Sequence, residues 1–273
     1  MKTSTKIFSN SIIVILAGIL FTAISFRIFA PNEFFENFSL FNDPIIQGNG
    51  KTVRQSINAA GFNSMNAQGK LDITLQPGNQ ESVILRTDEN LVPHISIETK
   101  GNALDMKTLA NLTPLPHVAI TSNNISEINL SGKTILHAND VNSQQLSIIM
   151  NGKSICYLQS NTKILKINLN GKSELHADVN QADNVTLLVN GKGDLYLTGK
   201  TNNLTISSHG KSTVHASELV ANNVVLNSAG KSNVTIHAVK TLSVIAVGKS
   251  EVKYSGNPII TRETAGESTL EKQ

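Results

Sequence analysis

The sequence predicts an all-β chain, a single-chain parallel β-helix with a non-repetitive β segment on its N-terminal side. Three observations predict it: a Gly-Lys pair repeated at a near-constant interval, alternating apolar residues on both sides of each pair, and no window with a sustained helical period. The pairs begin at Gly132, Gly152, Gly171, Gly191, Gly210, Gly230 and Gly248, with spacings of 20, 19, 20, 19, 20 and 18 residues. An eighth copy, AGES at Ala265–Ser268, follows 18 residues later with Glu267 in place of lysine. Two more pairs, at Gly69 and Gly199, fall outside this register. Self-similarity at a period of about 20 residues is the mark of a solenoid.

Each repeat reads as two or three short strands. After Gly-Lys comes Ser, Thr or Gly, one free position, and then an apolar residue: Leu136, Cys156, Leu175, Leu195, Val214, Val234 or Val252. Before the next glycine a second alternation appears, such as Leu146/Ile148/Met150, Leu165/Ile167/Leu169 and Val185/Leu187/Val189. Period two means a strand with one buried face. Polar links such as NDVNSQQ and VNQADN join the strands, and their Asn and Asp residues supply turns. A single coil cannot bury its apolar face. Stacked coils can, with parallel strands about 4.8 Å apart. The small aliphatic residue at each hexad of a left-handed hexapeptide helix is missing. The right-handed form is therefore expected, as parallel crossovers generally are.

Glycine sits where the coil turns a corner, because it takes φ > 0 cheaply. The following lysine points outward. Gly-Lys-Ser also resembles part of a phosphate-binding loop, but that motif needs a second glycine five residues earlier. Those positions hold Glu127, Ser147, Lys166, Thr186, Thr205, Val225 and Ser243, and no helix follows any copy.

Along the chain, residues 1–30 read as a signal peptide or an N-terminal membrane anchor. Lys2 and Lys6 precede the uncharged run Ile12–Phe26, and Arg27 ends it. The Ile28-Phe29-Ala30 cleavage site is only loosely of the small-residue type. The run is shorter than the about 20 residues of a membrane span, so both readings stay open. Residues 31–50 are a linker in which Phe34, Phe38 and Phe41 recur at helical spacing. That segment could lie on a membrane surface or plug the first coil. Residues 51–121 hold the strands TVRQSI, KLDITL, SVILRT, HISIET and HVAIT, separated by turns at QPGNQ, KGN and TPLP. Residues 122–273 form the solenoid of 18–20-residue coils, closed by the charged cap RETAGESTLEKQ.

Lys2, Lys6 and Arg27 are three of the 23 basic residues, so the remainder carries 20 basic against 20 acidic residues. A neutral exported part gives no reason to expect nucleic acid. Cys156 is the single cysteine, so it forms no internal disulfide and reads as a small buried hydrophobe.

The order of Gly48-Asn49-Gly50, a strand, GFNSMNAQGKLDITLQPGNQESVILRTDENLVPHI (residues 61–95) and a glycine-punctuated repeat resembles the GIN domain family. That family is described as a putative auto-transporter adhesin head domain. TDENLVPHI, residues 87–95, is the most specific motif, and the resemblance covers residues 48–255. Family members more often carry Gly-Ser-Gly at the corners, where this chain has Gly-Lys-Ser. The resemblance implies an exported β-solenoid of the bacterial envelope, located in the periplasm or at the cell surface, and carries over no catalytic residues.

Stacking turns sequence columns into ladders on the outside of the coils. One is Lys133, Lys153, Lys172, Lys192, Lys211, Lys231 and Lys249. Neighbouring charges about 5 Å apart repel by roughly 1 kcal/mol per pair in water before screening. The column is either a solvated face that discourages sheet aggregation or a stripe for an anionic glycan or lipopolysaccharide. Glu174, Asp194 and Glu251, two residues after their lysines, are expected to blunt its field. The second column is His137, Tyr157, His176, Tyr196 and His215, continued by Thr235 and Lys253. Surface stacking of His on Tyr is the first reading, and an aromatic platform for sugar rings is the alternative. No metal is expected, because histidines two coils apart have backbones about 9.6 Å apart, while zinc holds its ligands at about 2 Å. No cofactor is expected either.

Asp140, Asp178, Asp183 and Asp194 fall in different columns, whereas polysaccharide cleavage needs clustered acids. The expected function is therefore a noncatalytic, exported, adhesin-like module that binds a surface glycan, lipid headgroup or protein. A structural envelope protein without a ligand and a glycan-active enzyme are the alternatives.

Overall fold

The computed structural model describes residues 44–273. The leader and the segment with Phe34, Phe38 and Phe41 lie outside the described residues. From Glu127 onward every strand pairing is parallel, and the coils stack with their glycine corners in one line. Cα partners run Gly171↔Gly191↔Gly210↔Gly230↔Gly248↔Gly266. The eighth copy thus completes a further coil in register. The residue after each corner glycine donates its backbone N–H to the corner carbonyl one coil below, from Lys153 to Gly132 (2.8 Å) up to Glu267 to Gly248 (2.7 Å).

The inward residues named from the alternation, including Leu146, Leu165, Leu175, Val185, Leu195, Val214 and Val234, are at most 1 % exposed and belong to one continuous core. The residue after each Gly-Lys also turns inward. Thr134, Ser154, Ser173, Ser212, Ser232 and Ser250 are buried. Their hydroxyls are satisfied locally: Ser154 Oγ donates to the Asn151 carbonyl (3.1 Å), and Ser208 Oγ reaches Ser232 Oγ (2.8 Å). A small polar residue fits there because it fills the tight interior of the corner and still finds an acceptor.

Variation in coil length is absorbed on the side opposite the corner. The register shifts between Ala138 and Val141, Val179 and Ala182, Tyr196 and Thr198, and Ala216 and Val220, while the corner stays fixed. The polar links are mostly strand rather than turn, since Glu174–Gly191 and Thr213–Gly230 are continuous. Their asparagines form amide ladders along the stack. Asn203 Nδ2 donates to Asn184 Oδ1, and Asn223 Nδ2 to Asn203 Oδ1, both at 3.0 Å. An amide carries a donor and an acceptor, so identical side chains one coil apart pair with each other and favour strand over turn. Asp140, at φ 51°, marks a register irregularity inside the strand Ile135–Val141.

Gly69 is not outside the register. It pairs with Gly132, and Lys133 N–H donates to its carbonyl (2.8 Å), so Lys70 occupies the lysine column below Lys133. The sequence interval hides this, since stacked partners here, Asn129 and Asn66, lie 63 residues apart. Between them the chain leaves the solenoid. It lays Ser82–Asp88 antiparallel to Thr52–Ile57, and Ile95–Lys100 antiparallel to Ala103–Thr108. Ala103–Thr108 and His117–Thr121 form a coil beneath Ser64–Gly69 and Asp72–Gln76, which in turn support Glu127–Gly132 and Ile135–Val141. Within the segment read as a linker, Ile45–Gln47 is a strand paired with Asn111–Thr113.

The two family motifs meet in one clasp. Asp88 accepts from Gly50 N–H (2.8 Å) and the Thr52 hydroxyl (3.3 Å). Asn90 accepts from Asn49 N–H and donates to the Gln47 carbonyl, both at 2.9 Å. A β-carbon on Gly48 would sit 2.1 Å from Asp88 Oδ2, so any larger residue would displace that carboxylate from the clasp. The motif residues therefore tie the first two strands to the end of Ser82–Asp88.

Cys156 lies between Leu136 and Leu175 in the inward column. Burial pushes its thiol up from 9.0 to about 12. The unfolded chain loses this proton near the ordinary thiol value while the folded chain keeps it. Between about 9 and about 12 the unfolded state therefore binds fewer protons, and stability falls as pH rises through that window. At neutral pH the native thiol stays neutral and walled off. A disulfide reagent should leave native protein unmodified and titrate one thiol per chain after denaturation; rapid native labelling would show that the inward column is open.

Candidate binding face

The outer face is built by the strand that follows each corner. Alternation continues through the corner. Lys172 is exposed, Ser173 buried, Glu174 half-buried, Leu175 buried and His176 half-buried. Each coil thus offers three outward positions: a lysine, a mixed polar position two residues on, and a ring or its replacement two residues further.

All seven predicted lysines are exposed and lie in one column. The column extends beyond them, which the sequence reading missed. Lys70 begins it, tied by its ammonium to Asn111 Oδ1. Glu267 ends it and pairs with Lys249 (2.9 Å). Two of the three acids expected to blunt the stripe pair elsewhere. Glu174 Oε1 meets His176 Nε2 at 2.6 Å, and Glu251 meets Lys253 at 2.6 Å, a contact that pushes the Lys253 ammonium up. Residues i and i+2 of one strand face the same way, so each acid reaches the side chain two residues further on.

The ring column stacks as expected. His137–Tyr157, Tyr157–His176, His176–Tyr196 and Tyr196–His215 have centroids 4.9, 5.0, 4.6 and 4.7 Å apart and planes within 21° of parallel. The three inner rings are covered on both faces. A sugar platform needs an open ring face, so stacking leaves only the outer faces of His137 and His215 for it. What the column presents to solvent is a ladder of edges, with Tyr hydroxyls and His nitrogens one coil apart. Tyr157 and Tyr196 are 40 % and 39 % exposed.

Among the described residues no three His, Cys, Asp or Glu side chains come together to hold a metal. Asp178 and Asp183 accept from Thr198 and Asn202 of the next coil, both at 3.2 Å, which is coil-to-coil bracing rather than a paired acid–base site.

Coils stacked around a corner ladder, with repeated side-chain columns outside, define a β-solenoid that presents a linear array instead of a pocket. The chain belongs to the family described as "Putative auto-transporter adhesin, head GIN domain", whose model matches residues 61–258. Crystal structures share the fold. One is a protein of Parabacteroides merdae described as a putative adhesin, with 22 % identity, a TM-score of 0.75, and coverage of 85 % of this chain and 99 % of that one. Two come from Parabacteroides distasonis. One, described as a putative lipid binding protein, has 19 % identity, a TM-score of 0.77 and coverage of 84 % and 100 %. The other, described as a putative adhesin, has 21 % identity, a TM-score of 0.75 and coverage of 84 % and 100 %. No curated protein is a significant match.

Proposed function

We propose that the chain is a noncatalytic, extracytoplasmic binding module of the bacterial envelope, and that its lysine column engages an anionic surface polymer such as an acidic glycan or lipopolysaccharide. One observation carries this reading. The lysines recur in every coil from Lys133 to Lys249, two of the three neighbouring acids, Glu174 and Glu251, pair away from them, and among the ion pairs of the described residues only Glu267 meets one of these seven lysines, at Lys249. The leader, a basic start followed by an uncharged apolar run, and the family's description support export. The competing reading is a structural envelope element in which lysines only guard the sheet.

Replacing Lys172, Lys192 and Lys211 together by Gln separates the two. A binding stripe loses affinity for lipopolysaccharide or an acidic glycan, and the salt dependence of binding flattens because fewer charges contribute. Stability should shift little, or rise slightly as like charges are relieved. A folded triple variant with the parent's affinity and salt slope refutes the stripe and leaves the structural reading.

A further inference from the structure

Among the described residues the lysine and ring columns coincide in five consecutive coils and nowhere else: Lys133 with His137, Lys153 with Tyr157, Lys172 with His176, Lys192 with Tyr196 and Lys211 with His215. Above them the ring position becomes Thr235 and Lys253, and below it becomes Thr74. In those five coils the positions between the columns are Ile135, Ile155, Glu174, Asp194 and Thr213, which are in register with one another. The three inner rings are closed on both faces and cannot stack on a sugar, and His176 Nε2 is already held by Glu174, but the exposed edges of Tyr157 and Tyr196 can exchange hydrogen bonds with its hydroxyls. Their spacing of 4.6–5.0 Å matches the coil rise of about 4.8 Å, and one pyranose unit of an extended glycan advances by a closely similar length.

From this coincidence we infer that the five-coil strip is the site of an extended, linear acidic polysaccharide lying parallel to the solenoid axis. It binds one sugar per coil, with carboxylates toward the lysine column and hydroxyls toward the Tyr and His edges. The inference rests on the lysine-stripe reading and deepens it. The lysines supply charge without register, whereas the ring edges supply register, because each is fixed by a neighbour on at least one face. A compact anion such as the phosphorylated headgroup of lipopolysaccharide would use the lysines and ignore the rings.

The test uses oligogalacturonates from dimer to octamer with the folded protein, read by calorimetry. Affinity should climb with each added sugar and level off at about the pentamer, where the strip is covered. Tyr157→Phe with Tyr196→Phe keeps the stack and removes only the two hydroxyls. Each lost hydrogen bond should weaken pentamer binding by roughly fivefold, with thermal stability unchanged. Three outcomes overturn the inference: no oligogalacturonate binding, affinity independent of chain length, or a double Phe variant that binds like the parent. If the Phe variant is silent while the triple Gln variant loses lipopolysaccharide binding, the inference fails and the lysine-stripe reading stands. If the Gln variant is also silent, both fail.

Discussion

Leu175→Asp is expected to cost about 4–5 kcal/mol or more, enough to unfold many domains outright. Leu175 is 0 % exposed and stacks between Cys156 below and Leu195 above. A carboxylate there has no water, and its neighbours in the column are all apolar. Repacking cannot rescue it, because each coil interior is closed by the coils on either side. The control is one residue away. Glu174 points outward, and its pair with His176 is well exposed, at 42 % and 37 % of the two side chains. Glu174→Ala should change stability by about 0.5 kcal/mol or less. Denaturant titration of both variants checks the contrast, and coincident midpoints would refute the inward and outward assignment.

Gly191→Ala is expected to cost several kcal/mol, although it adds a single methyl group. Two penalties combine. At φ +112° the backbone lies where L side chains are strained, which costs about 1–3 kcal/mol. The new β-carbon would also sit 2.7 Å from the Gly171 carbonyl oxygen and 3.2 Å from its nitrogen. That carbonyl accepts the Lys192 N–H at 2.7 Å, so the coil cannot move away without breaking the ladder bond. Gly101 is the comparison. It has φ +62°, and nothing lies within 4 Å of its would-be β-carbon. Gly101→Ala should cost only the backbone strain, about 1–2 kcal/mol. Equal losses at the two positions, measured as shifts in unfolding midpoint, would show that the close approach of the corners has no energetic weight.

The stacked coils were legible because the repeat exposes its own register. Once Gly132 and Gly152 are aligned, Leu136 falls over Cys156 and His137 over Tyr157 without further information. The lower coils were not legible, because Gly69 and Gly132 are neighbours across a long excursion through antiparallel strands, and no interval betrays that. The ring column was placed correctly, but whether its faces or edges were free depended on side-chain rotation, which a sequence column does not encode. The pairing of Glu174 with His176 rather than with Lys172 likewise turned on side-chain rotation, since both partners face outward two residues away.

The sequence by itself determined the parallel stacking, the glycine corners, the inward column from Leu136 to Val252 and the outward position of the lysines. All of these follow from periods of two and about twenty residues, which are local properties of the chain. Only the tertiary structure decided that Lys70 joins the lysine column, that the asparagine-rich links are ladders rather than turns, and that the Gly48–Gly50 and Thr87–Ile95 motifs are one clasp. It also decided that a β-carbon on a corner glycine would sit within 2.6–2.9 Å of the corner carbonyl one coil below. The physical reason is common to all four. Each depends on a contact between residues distant in the chain, whose partners are chosen by how one coil lies on the next.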